Sequence, residues 1–313
     1  MATLRTIRTR LLTLFRRLLG TDQIREQQQL FDWRNAQRHE RQMEILLQLG
    51  NSLAYSRADP ATLEASALYR RCAEIISLLA PMDVDGAAFV RVGQDHDGGY
   101  VMLDVLGPDT VDAAYGFGIS HDTAWDEAIA GRGIDVYMFD HTIASLPTGL
   151  PRCRAFAIGV TGHVKGPSLR TLRQLLDEHG HAASRRLIMK MDVEGCEWDV
   201  FDEAASDVID QFSQIVVEYH RLTAAVHDPA MMASVRRVLA KLNRTHQCIH
   251  VHANGARLPL WIGPLVLPDI LEVTYVRRTD WEGRLSVSRR QFPTEIDEPS
   301  SEGWPDIYLG TFR

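Results

Sequence analysis

Beyond residue 89, short apolar runs alternate with amphipathic helical patterns. The runs have no helical period, as expected for buried strands, and patterns resembling helices separate several of them. The predicted strands are VDAAYGFG, GIDVYMFD, AFAIGV, LIMKMD, QIVVEYH, QCIHVHAN and DILEVTYV. This order is typical of an α/β fold with a mainly parallel sheet of about seven strands, which we assign to residues 86–313.

The chain before this domain, residues 1–85, is predicted to be helical. Apolar side chains recur at helical spacing over 1–19, where five arginines occur without an acidic residue. Further helices are predicted over 22–50 and 60–80. A basic amphipathic helix such as 1–19 can lie on an anionic membrane surface. Alternatively, it packs on the body of the protein or on a second copy, giving a homo-oligomer through the N-terminal helices.

Composition narrows the function further. The 313 residues are 45% hydrophobic and 24% charged, as in ordinary globular proteins, and the net charge of -7 argues against nucleic acid as a partner. The four cysteines form no CxxC pair, which favours a reducing compartment. No apolar run reaches the ~20 residues of a membrane span. We therefore expect a cytoplasmic protein, peripheral at the inner membrane surface if 1–19 binds lipid.

A Gly-x-Gly turn suggests a cofactor site. Gly116 and Gly118 lie between a predicted strand and helix, and Asp140 ends the next strand, where a carboxylate can hold ribose hydroxyls. His121 replaces the third glycine of a dinucleotide fold, and Asp122 follows it. An acid there repels a pyrophosphate but tolerates a sulfonium, so the pattern favours S-adenosylmethionine over NAD. The alternative is a pair of loop glycines followed by a helix-capping aspartate.

Acidic residues follow the strand LIMKMD. Asp192 and Glu194 come first, and Glu197 is interpreted as belonging only to the first turn of the next helix. Open α/β sheets place their chemistry at the carboxyl ends of strands. The neighbouring strand end should bring Glu218 and His220, which share one face, close to Asp192.

We assign these three side chains a catalytic role. Asp192 or His220 would accept a proton from the substrate, and Glu218 would help to orient the group. A divalent Mg²⁺ or Mn²⁺ bridging all three residues is a second interpretation. Purely structural alternatives are a Glu–His pair that satisfies itself and an Asp192 that caps a helix.

Two late strands and one turn add further candidates. His250 and His252 share a face before Asn254, and we assign these three residues to the substrate pocket. Glu272 interrupts an apolar strand and must be paired, because an unpaired buried acid is costly. The same reasoning makes Lys190 a paired structural lysine. The Gly-Gly pair of DGGY predicts a tight turn with an exposed backbone.

Together, these motifs resemble the FkbM-like S-adenosylmethionine-dependent methyltransferases. The resemblance runs from about residue 90 to the C-terminus and is carried by DGGYVM, YGFGISHDTAWDE, MFDHT, LIMKMDVEGCEWDVF, IVVEYH, HVHAN and LPDILEVTYVRR. It implies a Rossmann-like methyltransferase fold. It also implies an enzyme that methylates a hydroxyl of a saccharide or glycan precursor. The implied cofactor-binding residues are Asp97, Gly98, Gly99, Tyr100, Gly116, Gly118, Asp122, Asp140 and Glu194. In two departures, GVTG offers no acid for an adenine amine, and PSSEGWPD replaces an Asn-containing turn.

Two other functions fit parts of the pattern. One is an NAD-type sugar oxidoreductase on a similar sheet, which His121 disfavours. The other is a non-catalytic, membrane-associated assembly subunit with a vestigial cofactor site, which the intact set of Gly116, Gly118, Asp140 and Asp192 disfavours.

Overall fold

The computed structural model describes part of the chain. The described residues are Leu46, Tyr55, 58–120, 122–143, 145–164, 166–302 and 305–313. The chain divides into two compact units, Met1–Asn51 and Ser52–Arg313, and the strands and helices named next belong to the second. The helix predicted over 1–19 lies outside the described residues, as does all of 22–50 except Leu46, which is helical. Among the described residues, no helix is long and apolar enough to cross a membrane.

The strands of the second unit are short. They are β1 (Met82–Val84), β2 (Phe89–Val92), β3 (Tyr100–Leu103), β4 (Ala113–Phe117), β5 (Val136–Phe139), β6 (Cys153–Phe156), β7 (Gly159–Val160), β8 (Leu169–Arg170), β9 (Leu187–Met191), β10 (Phe212–Tyr219), β11 (His246–Ala253), β12 (Leu260–Ile262), β13 (Leu265–Leu267), β14 (Leu271–Arg277) and β15 (Leu285–Val287).

In the described part of residues 58–313, four of the eight α-helices begin at a residue whose side chain caps them. The eight helices are α1 (Pro60–Ala65), α2 (Ala67–Leu78), α3 (Ala124–Gly131), α4 (Leu172–Glu178), α5 (Glu197–Glu203), α6 (Ser206–Ile209), α7 (Leu222–His227) and α8 (Pro229–Thr245), with a 3₁₀ turn at Arg278–Trp281. Asp59 and Asp228 accept backbone N–H groups at the starts of α1 and α8. Thr171 and Gln174 form a capping box at α4.

A seven-stranded sheet organises the unit. Its order is β11-β14-β10-β9-β4-β5-β6, and β6, β5, β4, β9 and β10 run parallel to one another. Only β14 is antiparallel to both of its neighbours in this sheet. The chain passes from β11 through the β12–β13 hairpin, and β14 then lies between β11 and β10. The prediction of an α/β fold with a mainly parallel seven-stranded sheet is confirmed.

The structure refines several predicted elements. The helix predicted over 60–80 is two helices, α1 and α2, separated by Ser66, which caps the second. Residues 169–170 pair with β7 as strand β8, so the helix that follows, α4, starts at Leu172. DGGY forms the turn of a separate hairpin, β2–β3.

The sheet separates two apolar cores. In β9, Leu187, Met189 and Met191 join one core, which also contains residues of α2 and α8. Ile188 joins the other core, which includes residues of α3 and of the β2–β3 hairpin. Strand alternation therefore places Lys190 on the hairpin side of the sheet. The polar side chains of the candidate site occupy this face and the carboxyl ends of the strands.

Candidate active site

A cleft opens at the carboxyl ends of β4, β5 and β9. Its volume is about 210 Å³, and its lining includes Gly118, Phe139, Asp140, Val160, Asp192 and Glu194. Parallel strands end at the same edge of a sheet, so three separate motifs of the sequence meet here. Of the residues assigned to the cofactor, Gly118, Asp140 and Glu194 line this cleft.

The turn after β4 fits against the turn after β9 with no room for a side chain. Gly118 has φ +74°, and a β-carbon there would lie 1.5 Å from the backbone oxygen of Asp192. The Asp192 N–H donates to Phe117 O at 3.1 Å. Lys190 Nζ donates to Gly118 O at 2.9 Å and lies 3.5 Å from Asp192 Oδ2. Lys190 is thus paired, as expected, and it connects the two turns.

Asp140 is held in a fixed orientation at the end of β5. Its Oδ2 accepts Ser120 N–H at 2.9 Å, and its Oδ1 accepts both the N–H and the hydroxyl of Thr142 at 2.7 Å. Burial alone would raise the pKa of Asp140, but these hydrogen bonds from Thr142 and Ser120 lower it below its usual value. Asp140 therefore presents a charged carboxylate to the cleft.

Gly116 and Asp122, both assigned to the cofactor, lie against other parts of the protein instead. Gly116 lies within β4, where a β-carbon would be 2.2 Å from Oδ1 of the buried Asp126 on α3. Asp122 accepts Ala124 N–H at the start of that helix and Gln94 Nε2 of the hairpin turn, both at 2.9 Å. Among the residues lining the cleft, neither Gly116 nor Asp122 occurs.

The DGGY turn lies near Asp122 and Asp192. Gly98, at φ +85°, approaches so closely that a β-carbon would lie 1.7 Å from Asp122 Oδ2, and one at Gly99 would lie 2.1 Å from a backbone oxygen. The Tyr100 ring is buried, 5.7 Å from Lys190 Nζ. Partial burial and the charge of Asp192 raise the pKa of Asp97. The hairpin therefore supplies an acid to the same electrostatic environment.

Four carboxylates surround His220. Its Nδ1 lies 3.0 Å from Glu197 Oε1, and its Nε2 lies 3.3 Å from Glu218 Oε1. Nε2 also lies 3.5 Å from Glu194 Oε2 and 3.9 Å from Asp192 Oδ1. The prediction that Asp192, Glu218 and His220 come together at adjacent strand ends agrees with this geometry.

The sequence interpretation of Glu197 was incomplete. Glu197 does begin α5, but its side chain is fully buried rather than solvated. Its Oε1 accepts the backbone N–H groups of Val193 and Gly195 at 3.0 and 3.1 Å, besides facing His220. Glu197 therefore holds both the turn after Asp192 and the imidazole. A glutamate in a first helical turn is usually exposed, so no local signal identified this role.

Burial and charge set the protonation of the cluster. Burial alone would lower the pKa of His220, but its hydrogen bonds to Glu197 and Glu218 raise it to about 11. Burial raises the pKa of Glu218 to about 8, with Asp192 and Glu272 adding to the effect and His220 opposing it. At neutral pH, His220 is therefore an imidazolium that balances part of the acidic charge.

A polar row continues across the sheet from this cluster. Glu218 pairs directly with Glu272 of β14, which pairs with His252 of β11. His252 Nδ1 lies 2.9 Å from Glu272 Oε2, and its Nε2 lies 3.1 Å from Asp306 Oδ2. Burial alone would lower the pKa of His252, but these two carboxylates raise it well above its usual value. Glu272 is thus paired, as expected.

The three residues assigned to the substrate pocket take different positions. His250 and His252 are both buried against acids of the C-terminal segment: His250 Nε2 bonds to Asp297 Oδ1 at 2.9 Å. Asn254 instead faces two of the acidic side chains near the DGGY turn and His220. Its Nδ2 donates to Asp97 Oδ1 at 3.3 Å and to Glu218 Oε1 at 3.4 Å. All three side chains are buried, and their assignment to a substrate pocket stays a prediction.

Two groups in the described part of the chain have the spacing of a metal site. In each, the ligand atoms lie within 4.8 Å of one another: Asp192, Glu197 and His220 form one group, and Asp97, Glu218 and Glu272 form the other. The bridging interpretation of Asp192, Glu218 and His220 requires His220 to be a ligand. An imidazolium has no lone pair to offer a metal, so this interpretation requires His220 to lose its proton.

No curated protein matched the chain. A family model does match, over residues 118–245, and it is described as the methyltransferase FkbM domain. The matched segment runs from the turn after β4 to the end of α8 and includes Asp140, Asp192 and His220. The match indicates a methyltransferase. The resemblance drawn from the sequence motifs is therefore confirmed for residues 118–245, which match the methyltransferase FkbM domain.

Proposed function

We propose that the protein is an S-adenosylmethionine-dependent O-methyltransferase whose acceptor is a hydroxyl of a saccharide or glycan precursor. The observation that carries this proposal is the position of Asp192. Asp192 lines the cleft together with Gly118 and Asp140, and its carboxylate also faces His220. One residue therefore contacts both the donor cleft and the polar group of side chains where an acceptor would bind.

The cleft fits the proposed cofactor chemically. Asp140 offers a charged carboxylate at the strand end where a ribose diol would bind. Phe139 and Val160 provide apolar surface for a purine ring. Asp192 and Glu194 add acidic side chains to the same lining, which suits a sulfonium cation and disfavours a pyrophosphate.

Asp192 is the group we assign to proton transfer. When bound, S-adenosylmethionine supplies an electrophilic methyl group, which leaves its sulfur as the acceptor oxygen bonds to the methyl carbon. The Asp192 carboxylate accepts the hydroxyl proton. Lys190 and His220 hold that carboxylate from two sides, at 3.5 Å and 3.9 Å. Because its raised pKa makes His220 an imidazolium without a free lone pair, Asp192 is favoured over His220 as the proton acceptor.

The character of the acceptor follows from the oxygens around the site. Asp97, Asp192 and Glu194 present carboxylates, which accept hydrogen bonds and donate none when ionised. Asn254 adds an amide at the same place. A ligand rich in hydroxyl donors satisfies such a surface, which supports a saccharide. Holding the donor and acceptor in line contributes up to ~7–11 kcal/mol to lowering the barrier.

Calorimetric titration tests the cofactor assignment. Wild-type protein should bind S-adenosylmethionine and S-adenosylhomocysteine, and Asp140→Asn should weaken both. Asp135→Asn is the matched control, because Asp135 is a surface acid paired with Arg152 just before β5. Protein that binds NAD⁺ but neither sulfur compound would overturn the proposal and favour a sugar oxidoreductase.

A further inference from the structure

We propose that a divalent metal cation with oxygen ligands binds among Asp97, Glu218 and Glu272. This group, the triad of acids, comes from three elements: the β2–β3 turn, the end of β10 and the start of β14. It differs from the trio of Asp192, Glu218 and His220 suggested by the sequence, because its ligands are all carboxylates. Only the catalytic use of the ion rests on the proposed function; its binding does not.

The spacing of the triad of acids suits such an ion. One carboxylate oxygen from each residue lies within 4.8 Å of the others. Two oxygens on opposite sides of Ca²⁺ are separated by about 4.6–5.2 Å, and around Mg²⁺ by about 4.0–4.2 Å, from the usual metal–oxygen distances. Because no two of the three oxygens are more than 4.8 Å apart, a single divalent ion can contact all of them.

Glu218 supplies an independent sign of a missing partner. Its residue is 4% exposed, and its Oε1 already faces His220 and Asn254. Its Oε2 is buried and has no hydrogen-bond partner in the part of the chain that the structure describes. A buried carboxylate oxygen without a partner is costly, since its lost hydration is not replaced. A cation would replace that hydration.

The pairing of β10 with β14 also favours a bound cation. Glu218 and Glu272 stand directly opposite each other on antiparallel strands, where like charges destabilise the pair. His252 contacts one oxygen of Glu272, yet Asp97 adds a third acid. Asp97 itself is exposed, so the triad is open on one side for an ion to enter.

The other candidate group needs a histidine ligand. Glu197 Oε1 accepts two backbone N–H groups and faces His220 Nδ1, although Glu197 Oε2, like Glu218 Oε2, is buried with no hydrogen-bond partner among the described residues. His220 would have to lose its proton before it could bind a metal. The preference for the triad of acids therefore comes from its three carboxylate ligands, one of which, Glu218, has an unpartnered oxygen.

An ion at the triad would lie beside the proposed proton acceptor. Glu218 connects the triad to His220, which in turn faces Asp192. A metal-bound hydroxyl is more acidic than a free one, so the ion would help the hydroxyl that receives the methyl group to lose its proton to Asp192. It would also fix the position of a vicinal diol, which matches a saccharide.

Mn²⁺ titration of the full-length protein, followed by electron paramagnetic resonance of the free ion, tests the proposal. Wild type should bind one Mn²⁺ per chain, and Mg²⁺ or Ca²⁺ should displace it. Asp97→Asn and Glu272→Gln should each weaken binding at least tenfold. Asp135→Asn, which removes one acid beside Arg152, should bind as wild type does. Because Asp97 is exposed, its variant should fold even if the buried Glu272→Gln does not.

Two results would overturn the proposal. One is the absence of saturable binding to wild-type protein at millimolar Mn²⁺. The other is binding that survives Asp97→Asn with wild-type affinity, including the case in which Asp192→Asn abolishes it instead. The readout needs neither S-adenosylmethionine nor an acceptor, so it distinguishes a failure of the metal site from a failure of the methyltransferase assignment.

Discussion

His220 Nδ1 lies 3.0 Å from Oε1 of Glu197, a carboxylate that is fully buried. The same oxygen accepts the backbone N–H groups of Val193 and Gly195, in the turn that follows Asp192. Glu194 in that turn has φ +55°, a left-handed conformation that costs a non-glycine residue about 1–3 kcal/mol. Glu197 thus stabilises both a strained turn and the charge on His220.

Glu197→Gln should lower the pKa of His220 and destabilise the protein. A hydrogen bond to a charged group contributes about 1.5–3 kcal/mol, so the free energy of unfolding should fall by about that amount. NMR titration of His220 and chemical denaturation measure the two effects. Glu203→Gln is the control, because Glu203 is a half-exposed acid at the end of the same helix. An unchanged pKa of His220 would contradict the assigned role.

The raised pKa of His220 also fixes the sign of a pH effect. Its folded value of about 11 exceeds the ordinary value of 6.5. Its contribution to stability is therefore fully present below pH 6.5 and is lost as the pH rises towards 11. Between pH 7 and 10, wild type should lose more stability than His220→Gln does. If the free energy of unfolding, measured with urea at each pH, falls equally in the two proteins, the prediction is contradicted.

Gly118→Ala should prevent the turns after β4 and β9 from packing. The new β-carbon would lie 1.5 Å from Asp192 O, in addition to the backbone strain of about 1–3 kcal/mol at φ +74°. We expect a lower melting temperature and loss of S-adenosylmethionine binding. Gly131→Ala is the control, because a β-carbon at the end of α3 meets nothing within 4 Å. Equal behaviour of the two variants would rule out the close approach.

The buried Asp126 carboxyl makes the protein less stable at neutral pH than in acid. Burial raises the pKa of Asp126 from 3.8 to about 7, and its Oδ1 has no partner among the described residues. The folded state therefore loses stability as the pH rises from about 4 to 7. Asp126→Asn should raise the melting temperature by at least about 2 °C at pH 8, but not at pH 4.

The exposed Glu127 of the same helix supplies the control for this prediction. Glu127→Gln should show no such difference between pH 4 and pH 8. The same change in melting temperature for Asp126→Asn at both pH values would contradict the account of a buried, unpaired carboxyl group.

The C-terminal segment depends on Asp297. Burial would raise the pKa of this residue, but the hydrogen bond and charge of His250 lower it to about 2. Asp297→Asn should therefore loosen residues 290–313 and speed their amide hydrogen exchange. Asp280→Asn is the control, since Asp280 pairs with Arg277 outside that segment. Unchanged exchange would mean that the His250–Asp297 pair does not hold the segment.

The sequence predicted the sheet because buried strands have a distinctive apolar pattern. It also brought Asp192, Glu218 and His220 together, because the carboxyl ends of parallel strands share an edge. It could not predict the buried role of Glu197, which depends on how a turn folds back over a helix start. Nor could it identify Asp297 and Asp306 as partners of His250 and His252, because those contacts join residues far apart in sequence.

We propose that Asp192 joins the donor cleft to the site of methyl transfer. The most direct test compares wild type with Asp192→Asn in the formation of S-adenosylhomocysteine, across free saccharides and sugar nucleotides. Wild type should form it and add one methyl group to a hydroxylated acceptor. At saturating S-adenosylmethionine, Asp192→Asn should still bind the cofactor but react roughly 10²–10⁴-fold more slowly. Full activity in Asp192→Asn would contradict the account.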